Sequence, residues 1–258
     1  VESEFRAMST ACGGCLQIAL PSDTVTGPRV PNPTKIVDVV AIQPGTSDPQ
    51  RVIIIQGHLD SRVSDVMNFT ADAPGANDDA SGVAVVMEAA RILSKRRFEA
   101  TLVYAALSGE EQGLLGGRIL ADYAKAQGWH VLAVLNNYIV GNTRGLAQTV
   151  ENRVRIFSEG VRSLESDAQG NARRSVGGEV DSPSRNLARY MDEIAEQHLP
   201  AFDVSMVYRR DRFGRGGDQV PMVEAGFPAV RVTEAAENYT RQHQDIRIEN
   251  GIAYGDTI

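Results

Sequence analysis

Arg51-Val52-Ile53-Ile54-Ile55-Gln56-Gly57-His58-Leu59-Asp60-Ser61 is the stretch on which the fold turns. Its β-branched run has strand length and closes on glycine, and a histidine and an aspartate follow at once. Upstream, Ile36 to Ile42 alternates and is β-branched, and Gln43 to Gln50, with Pro44, Gly45 and Pro49, is a turn. These two strands are predicted to pair antiparallel. Downstream, Asp79 to Lys95 carries Val83, Val86, Met87, Ala90 and Leu93 at helical spacing, and Thr101 to Leu107 reads as a buried strand. A helix over Glu110 to Ala126 and a core strand over Val131 to Val140 continue the alternation. Ser182 caps a helix running through Gln197. Strands at Val204 to Tyr208 and Ala229 to Thr233, with a helix near Gln219 to Ala225, complete the series. Residues 1–30 read as an N-terminal helix and loop. Residues 142–185 read as a surface excursion around one short strand, Val154 to Phe157. Alternating strands and helices predict one α/β domain over residues 1–258, a three-layer sandwich.

Composition narrows the function. The chain has 258 residues, 42% hydrophobic, with 26 Lys+Arg against 33 Asp+Glu and a net charge of −7. That acidic balance, without a basic block, argues against a nucleic-acid partner. No apolar run reaches the ~18 residues of a membrane-spanning helix, so no membrane partner is expected. The chain starts at Val1 without a Met or a signal peptide and is expected to begin inside a longer precursor. Cys12 and Cys15 fit a local disulfide or two idle thiols. Redox catalysis would want a thioredoxin-like strand and helix around them, and half a zinc site would want a second Cys/His pair nearby.

In open α/β sheets, active groups gather at the carboxyl ends of strands. Those positions carry His58 and Asp60, then Asn77-Asp78-Asp79 after a glycine-rich loop, then Glu110-Glu111, and finally His243. Imidazoles and carboxylates from four loops can bind a borderline cation such as zinc. His58 and Asp60 sit two apart on an extended segment, so the carboxylate can take one imidazole nitrogen while the other faces a metal. The same spacing fits a partly buried histidine with a solvated aspartate. Asp78 and Asp79 fit a helix cap equally, although Gly75 would allow a tight turn behind a site. Glu110 and Glu111 are either exposed acids at a helix start or a divided pair, one on a metal and one free to take a proton from activated water. His130 and His198 read as surface residues. No His-Glu-x-x-His or Gly-x-Ser-x-Gly motif occurs, and Gly214 to Gly217 lacks the lysine and preceding strand of a phosphate loop.

Taken together, His58-Leu59-Asp60-Ser61, Ala73 to Gly82 and Glu110 to Gly116 resemble the co-catalytic zinc aminopeptidase family, which also holds glutamate carboxypeptidases and is related to glutaminyl cyclases. The resemblance runs from about Ile36 to Tyr254 and includes Gly226-Phe227-Pro228-Ala229-Val230. It implies an α/β fold, a three-layer α/β/α sandwich with a mixed central sheet. It also implies two zinc ions: His58 on the first, Asp78 bridging, Glu111 and His243 on the second. Glu110 would be the general base, Asp60 would orient His58, and Asp218 would bind substrate. The family's first zinc takes a further aspartate three residues before a glycine, and Tyr138 stands there, before Gly141. A neutral phenol is a poor ligand, with a free pKa of about 10, so one zinc is the alternative.

The resemblance therefore implies a zinc aminopeptidase, impaired by Tyr138, acting on peptides with a free N-terminus, with a secreted or periplasmic location. Two alternatives stand beside it. One is a mono-zinc acyl transferase like a glutaminyl cyclase; the other is a non-catalytic binding module on the same fold.

Overall fold

The computed structural model describes residues 1–212 and 214–257. In chain order its elements are α1 (Glu2–Ala11), β1 (Gln17–Ala19), β2 (Ser22–Gly27), β3 (Val30–Val37), β4 (Val39–Gln43), β5 (Asp48–His58), α2 (Ala80–Leu93), β6 (Ala100–Leu107), α3 (Leu115–Ala126), β7 (His130–Asn137), β8 (Arg153–Ser158), α4 (Asp167–Ser175), α5 (Pro183–His198), β9 (Asp203–Val207), α6 (Gln219–Glu224), β10 (Ala229–Glu234), β11 (Arg247–Glu249) and β12 (Ile252–Tyr254). Eight strands form the central sheet in the order β1-β4-β6-β5-β7-β10-β8-β9. It is mixed: β6, β5, β7 and β10 run parallel to one another, and β4 and β8 pair antiparallel to the ends of that block.

Both faces of the central strands are buried, as parallel strands between helices require. Val52, Ile54, Val103, Ala105 and Leu107 point to a cluster closed by Leu120 and Ala124 of α3 and Met222 of α6. Ile55, Leu102 and Tyr104 point the other way, against Phe5 of α1 and Val86 and Ala90 of α2. Ala188 of α5 packs with Ile156 and Val230 in a third cluster. The three-layer α/β/α architecture is therefore present.

Three expectations are corrected. The predicted pairing of the strand before Gln43 with the strand after it does not form, because β6 lies between β4 and β5 and bonds to both. An apolar strand such as β6 needs partners on both edges, and the crossover through α2 sets it beside β5. The single strand predicted over 36–42 is divided at Asp38, which is fully buried; residues before it belong to the β2–β3 hairpin. Residues 1–30 and 142–185 also contribute to the sheet, through β1 at one edge and through β8 as an internal strand. Cys12 and Cys15 are joined in a disulfide. Ser182 caps α5, accepting from the Arg185 N–H.

Candidate metal centre

The parallel strands β5, β6, β7 and β10 end on the same edge of the sheet, where the candidate residues collect. His58 is the last residue of β5 and is 2% exposed. Its Nδ1 lies 2.9 Å from the main-chain carbonyl of Asp60, and its Nε2 lies 3.1 Å from Asp78 Oδ1. The other Asp78 oxygen, Oδ2, is 3.1 Å from His243 Nε2, which in turn is 2.8 Å from Glu111 Oε1. Asp78 thus sits between the two imidazoles with one oxygen toward each. Ligand atoms of Asp78, Glu111 and His243 lie within 4.8 Å of one another.

These five atoms share a second property. His58 Nε2, both Asp78 oxygens, Glu111 Oε1 and His243 Nε2 are buried and, among the described residues, have no hydrogen-bond partner beyond one another. Buried polar atoms are almost always satisfied, and five orphans aimed at one another call for a cation between them. The donor set of one imidazole and two carboxylates suits zinc with a position left open.

Neighbouring carboxylates build the frame. Asp79 accepts from the main-chain N–H of His58, Gly82 and Ile139, capping α2 and tying β5 to β7. Asp60 accepts from the Glu110 and Glu111 N–H groups at 3.1 and 3.0 Å. It therefore orients His58 through its carbonyl and holds the Glu110–Glu111 turn through its carboxylate, at 3.6 Å from the imidazole. Asp256, near the C-terminal end, accepts from the N–H groups of Asn77 and Asp78. Gly75 turns with φ +56°, and a Cβ there would lie 2.5 Å from Ser61 Cβ. Leu114, Ile139 and His243 also hold positive φ, three non-glycine residues in a sparsely populated conformation.

Both sequence alternatives at Asp78-Asp79 are realised, one residue each: Asp79 caps the helix and Asp78 faces the cluster. Glu110 and Glu111 are buried, not exposed acids, and α3 begins only at Leu115. Glu110 lines a cavity of about 400 Å3 over the cluster. Burial pushes its carboxyl well above the usual range, partly countered by His58. Burial would raise Asp78 too, but hydrogen bonds from His243 and His58 outweigh it and hold that carboxyl low. Asp218, expected at the substrate pocket, is 1% exposed, absent from the cavity wall and bonded to the Gly117 N–H. Burial raises its carboxyl to about 7. His130 and His198 are exposed, at the start of β7 and the end of α5.

Tyr138 is 2% exposed and meets the His58 ring in an edge-to-face arrangement, with centroids 5.1 Å apart. Its other surroundings include the Arg231 guanidinium, 4.2 Å from the ring centroid. Arg231 is itself fully buried and ion-paired with Asp211. Burial, reinforced by the Asp78 and Glu110 charges, pushes the phenol well above its ordinary pKa. A neutral phenol is a poor metal ligand, and Tyr138 stands where the resemblance would place an aspartate, beside His58 and Asp78.

Sequence reasoning missed three arginines on the cavity wall, Arg29, Arg62 and Arg215. Arg62 lies two residues beyond Asp60 on the same strand-end segment, the only signal that could have pointed to it.

Residues 38–250 match the model of Peptidase family M28. A probable zinc metalloprotease of Leptosphaeria maculans is 49% identical over 231 residues, covering 89% of this chain and 54% of its own. The chain spans about half the length of the curated relatives it matches. Among solved structures, the LapA aminopeptidase of Legionella pneumophila superposes with a TM-score of 0.65 at 20% identity, over 94% of this chain and 55% of that one. A glutaminyl cyclase of Porphyromonas gingivalis gives a TM-score of 0.58 at 15% identity, over 92% and 72%. At these identities the two structures bear on the fold alone.

Proposed function

The chain belongs to peptidase family M28, and from that membership we propose that it is the catalytic part of a zinc-dependent exopeptidase, an aminopeptidase in the first instance. The observation that carries the reading is the set of five orphaned ligand atoms around Asp78, with Glu110 on the wall of the cavity above them. Asp78, Glu111 and His243 would hold the ion. A zinc bound there would acidify water and polarise a peptide carbonyl. Glu110 takes the proton from the attacking water on its carboxylate and gives it to the departing amine nitrogen. Asp60 keeps Glu110 and Glu111 in register through their main-chain N–H groups.

One zinc is the reading that fits, because the position beside His58 has Tyr138 in place of a carboxylate. That same observation favours a second reading, a mono-zinc acyl transferase cyclising N-terminal glutamine. The substrate is a peptide with a free N-terminus. The Cys12–Cys15 disulfide supports a secreted or periplasmic location, since disulfides persist in oxidising compartments.

The test incubates the zinc-loaded protein with a peptide bearing a free N-terminus, its N-acetylated copy, and a copy beginning with glutamine. Loss of the first residue from both peptides with a free N-terminus, and none from the acetylated copy, is expected. Cyclisation with release of ammonia from the glutamine peptide, without hydrolysis of the others, would replace the first reading by the second.

A further inference from the structure

We propose that the cavity above the metal centre recognises a substrate carboxylate beside the bond to be cleaved, through Arg29, Arg62 and Arg215. The inference rests on the hydrolase reading and names the substrate class of that same site. The arginines come from separate parts of the chain: the tip of the β2–β3 hairpin, the segment after β5, and the loop before α6. All three line the cavity of about 400 Å3 that also exposes Glu110, Glu111 and His243.

Charge counting gives the sign of the ligand. A divalent ion in the centre would be offset by Asp78 and Glu111, and His243 is neutral when it ligates. Glu110 is then the one anion facing three guanidinium cations. In a cavity with low-dielectric walls such an excess attracts an anion and repels a cation.

Hydrogen bonding gives its chemistry. Arg62 already has work, with Nε 3.2 Å from Glu111 Oε2 and Nη2 2.9 Å from His243 Nδ1. Arg215 Nη2 also lies 3.3 Å from His243 Nδ1. Two guanidiniums can donate to Nδ1 only while the ring proton sits on Nε2. When His243 ligates through Nε2, its proton moves to Nδ1, which then donates and no longer accepts. The N–H groups of Arg62 and Arg215 aimed at it are then left facing the cavity and need another acceptor. Arg29 gives a single side-chain hydrogen bond among the described residues, to the Glu111 carbonyl at 2.9 Å. A guanidinium has five donors in a planar fork that matches a carboxylate. The acceptor is therefore either an acidic side chain of the substrate's terminal residue or a free C-terminal carboxylate.

The test is calorimetric binding to the zinc-loaded Glu110→Gln protein, whose turnover is expected to be slow enough for a titration. Four tripeptides are titrated: a glutamate-initiated amide, its glutamine-initiated isostere, trialanine amide, and trialanine with a free carboxylate. The carboxylate member of one pair should bind at least about tenfold tighter, which is about 1.4 kcal/mol, and the advantage should shrink to about twofold when Arg29→Gln and Arg215→Gln are added. A gain in the glutamate pair identifies an acidic side chain, and a gain in the trialanine pair identifies a C-terminal carboxylate. Equal affinities within both pairs would overturn the proposal, with no arginine variant needed. So would a preference that survives the arginine substitutions, since the metal alone then holds the carboxylate. If the preference is present but the wild-type protein cleaves none of the four, the hydrolase reading fails and the carboxylate site stands.

Discussion

Tyr138 is the residue on which the number of metal ions is expected to turn. Its ring meets that of His58 in an edge-to-face arrangement and has the guanidinium of the fully buried Arg231 4.2 Å from its centroid, and burial pushes its phenol above the ordinary pKa. Removing the hydroxyl should then change nothing at the metal, whereas a carboxylate should create a position. Elemental mass spectrometry after zinc loading and dialysis is expected to find one zinc per chain in the wild type and in Tyr138→Phe, and two in Tyr138→Asp. Two in the wild type would mean that the phenol ligates after all. Glu110→Gln is expected to lower kcat by about 10²- to 10⁴-fold, the usual range for a lost general base, with the zinc content unchanged. A matching loss of zinc would instead make Glu110 a ligand. His58, Asp78, Glu110, Glu111 and His243 were named as candidates from the sequence because each is a potential ligand or base on a segment that follows a core strand. Arg29, Arg62 and Arg215 were not, because no spacing links residues that only the folded chain brings to one wall. Asp218, expected at the substrate pocket, is buried against the Gly117 N–H, a placement that a motif match does not reveal.

At the scale of elements, the strands themselves were readable from their apolar runs, while their neighbours were not. β4 and β5 are consecutive and joined by a turn, yet β6 separates them, because pairing is settled by which strand can be buried on both edges and both faces. The helix predicted from Glu110 is shortened for a related reason. Its first N–H groups are taken by Asp60, a residue distant in sequence, and Leu114 adopts φ 60°. The C-terminal segment makes a comparable long-range contact. Asp256 follows β12 and accepts from the N–H groups of Asn77 and Asp78, at 2.7 Å for the latter. Among the described residues its carboxylate accepts from main-chain N–H groups, so it acts by fixing the backbone that carries Asp78. Asp256→Ala is expected to weaken zinc binding by about 10- to 100-fold, as loss of a group that orients a ligand does. Competition with a chromophoric chelator would measure this, and an unchanged affinity would show that α2 and Asp79 alone hold the loop.

Across the whole molecule, carboxylates buried without a cationic partner set the pH range in which the fold is most stable. Asp38 is fully buried at the junction of β3 and β4; its Oδ1 accepts from the Ser108 N–H, and its Oδ2 has no partner among the described residues. Burial raises its carboxyl from 3.8 to about 8. Glu234 and Glu159 are also raised by burial, each to about 7. A carboxyl with a raised folded-state pKa binds more protons folded than unfolded throughout the window between the two values. Stability is then full below about pH 4 for this group and falls as pH rises toward about 8, where the loss is complete. Urea midpoints of the metal-free protein are therefore expected to decline from about pH 5 to about pH 8. Asp38→Asn keeps the acceptor for Ser108 and replaces the titrating oxygen with a neutral group. It should flatten that decline and leave the variant more stable at the alkaline end by at least about 1 kcal/mol, or about 2–4 °C in Tm. A variant whose midpoint falls with pH as steeply as the wild type would show that Asp38 is ionised in the folded chain, with water reaching Oδ2.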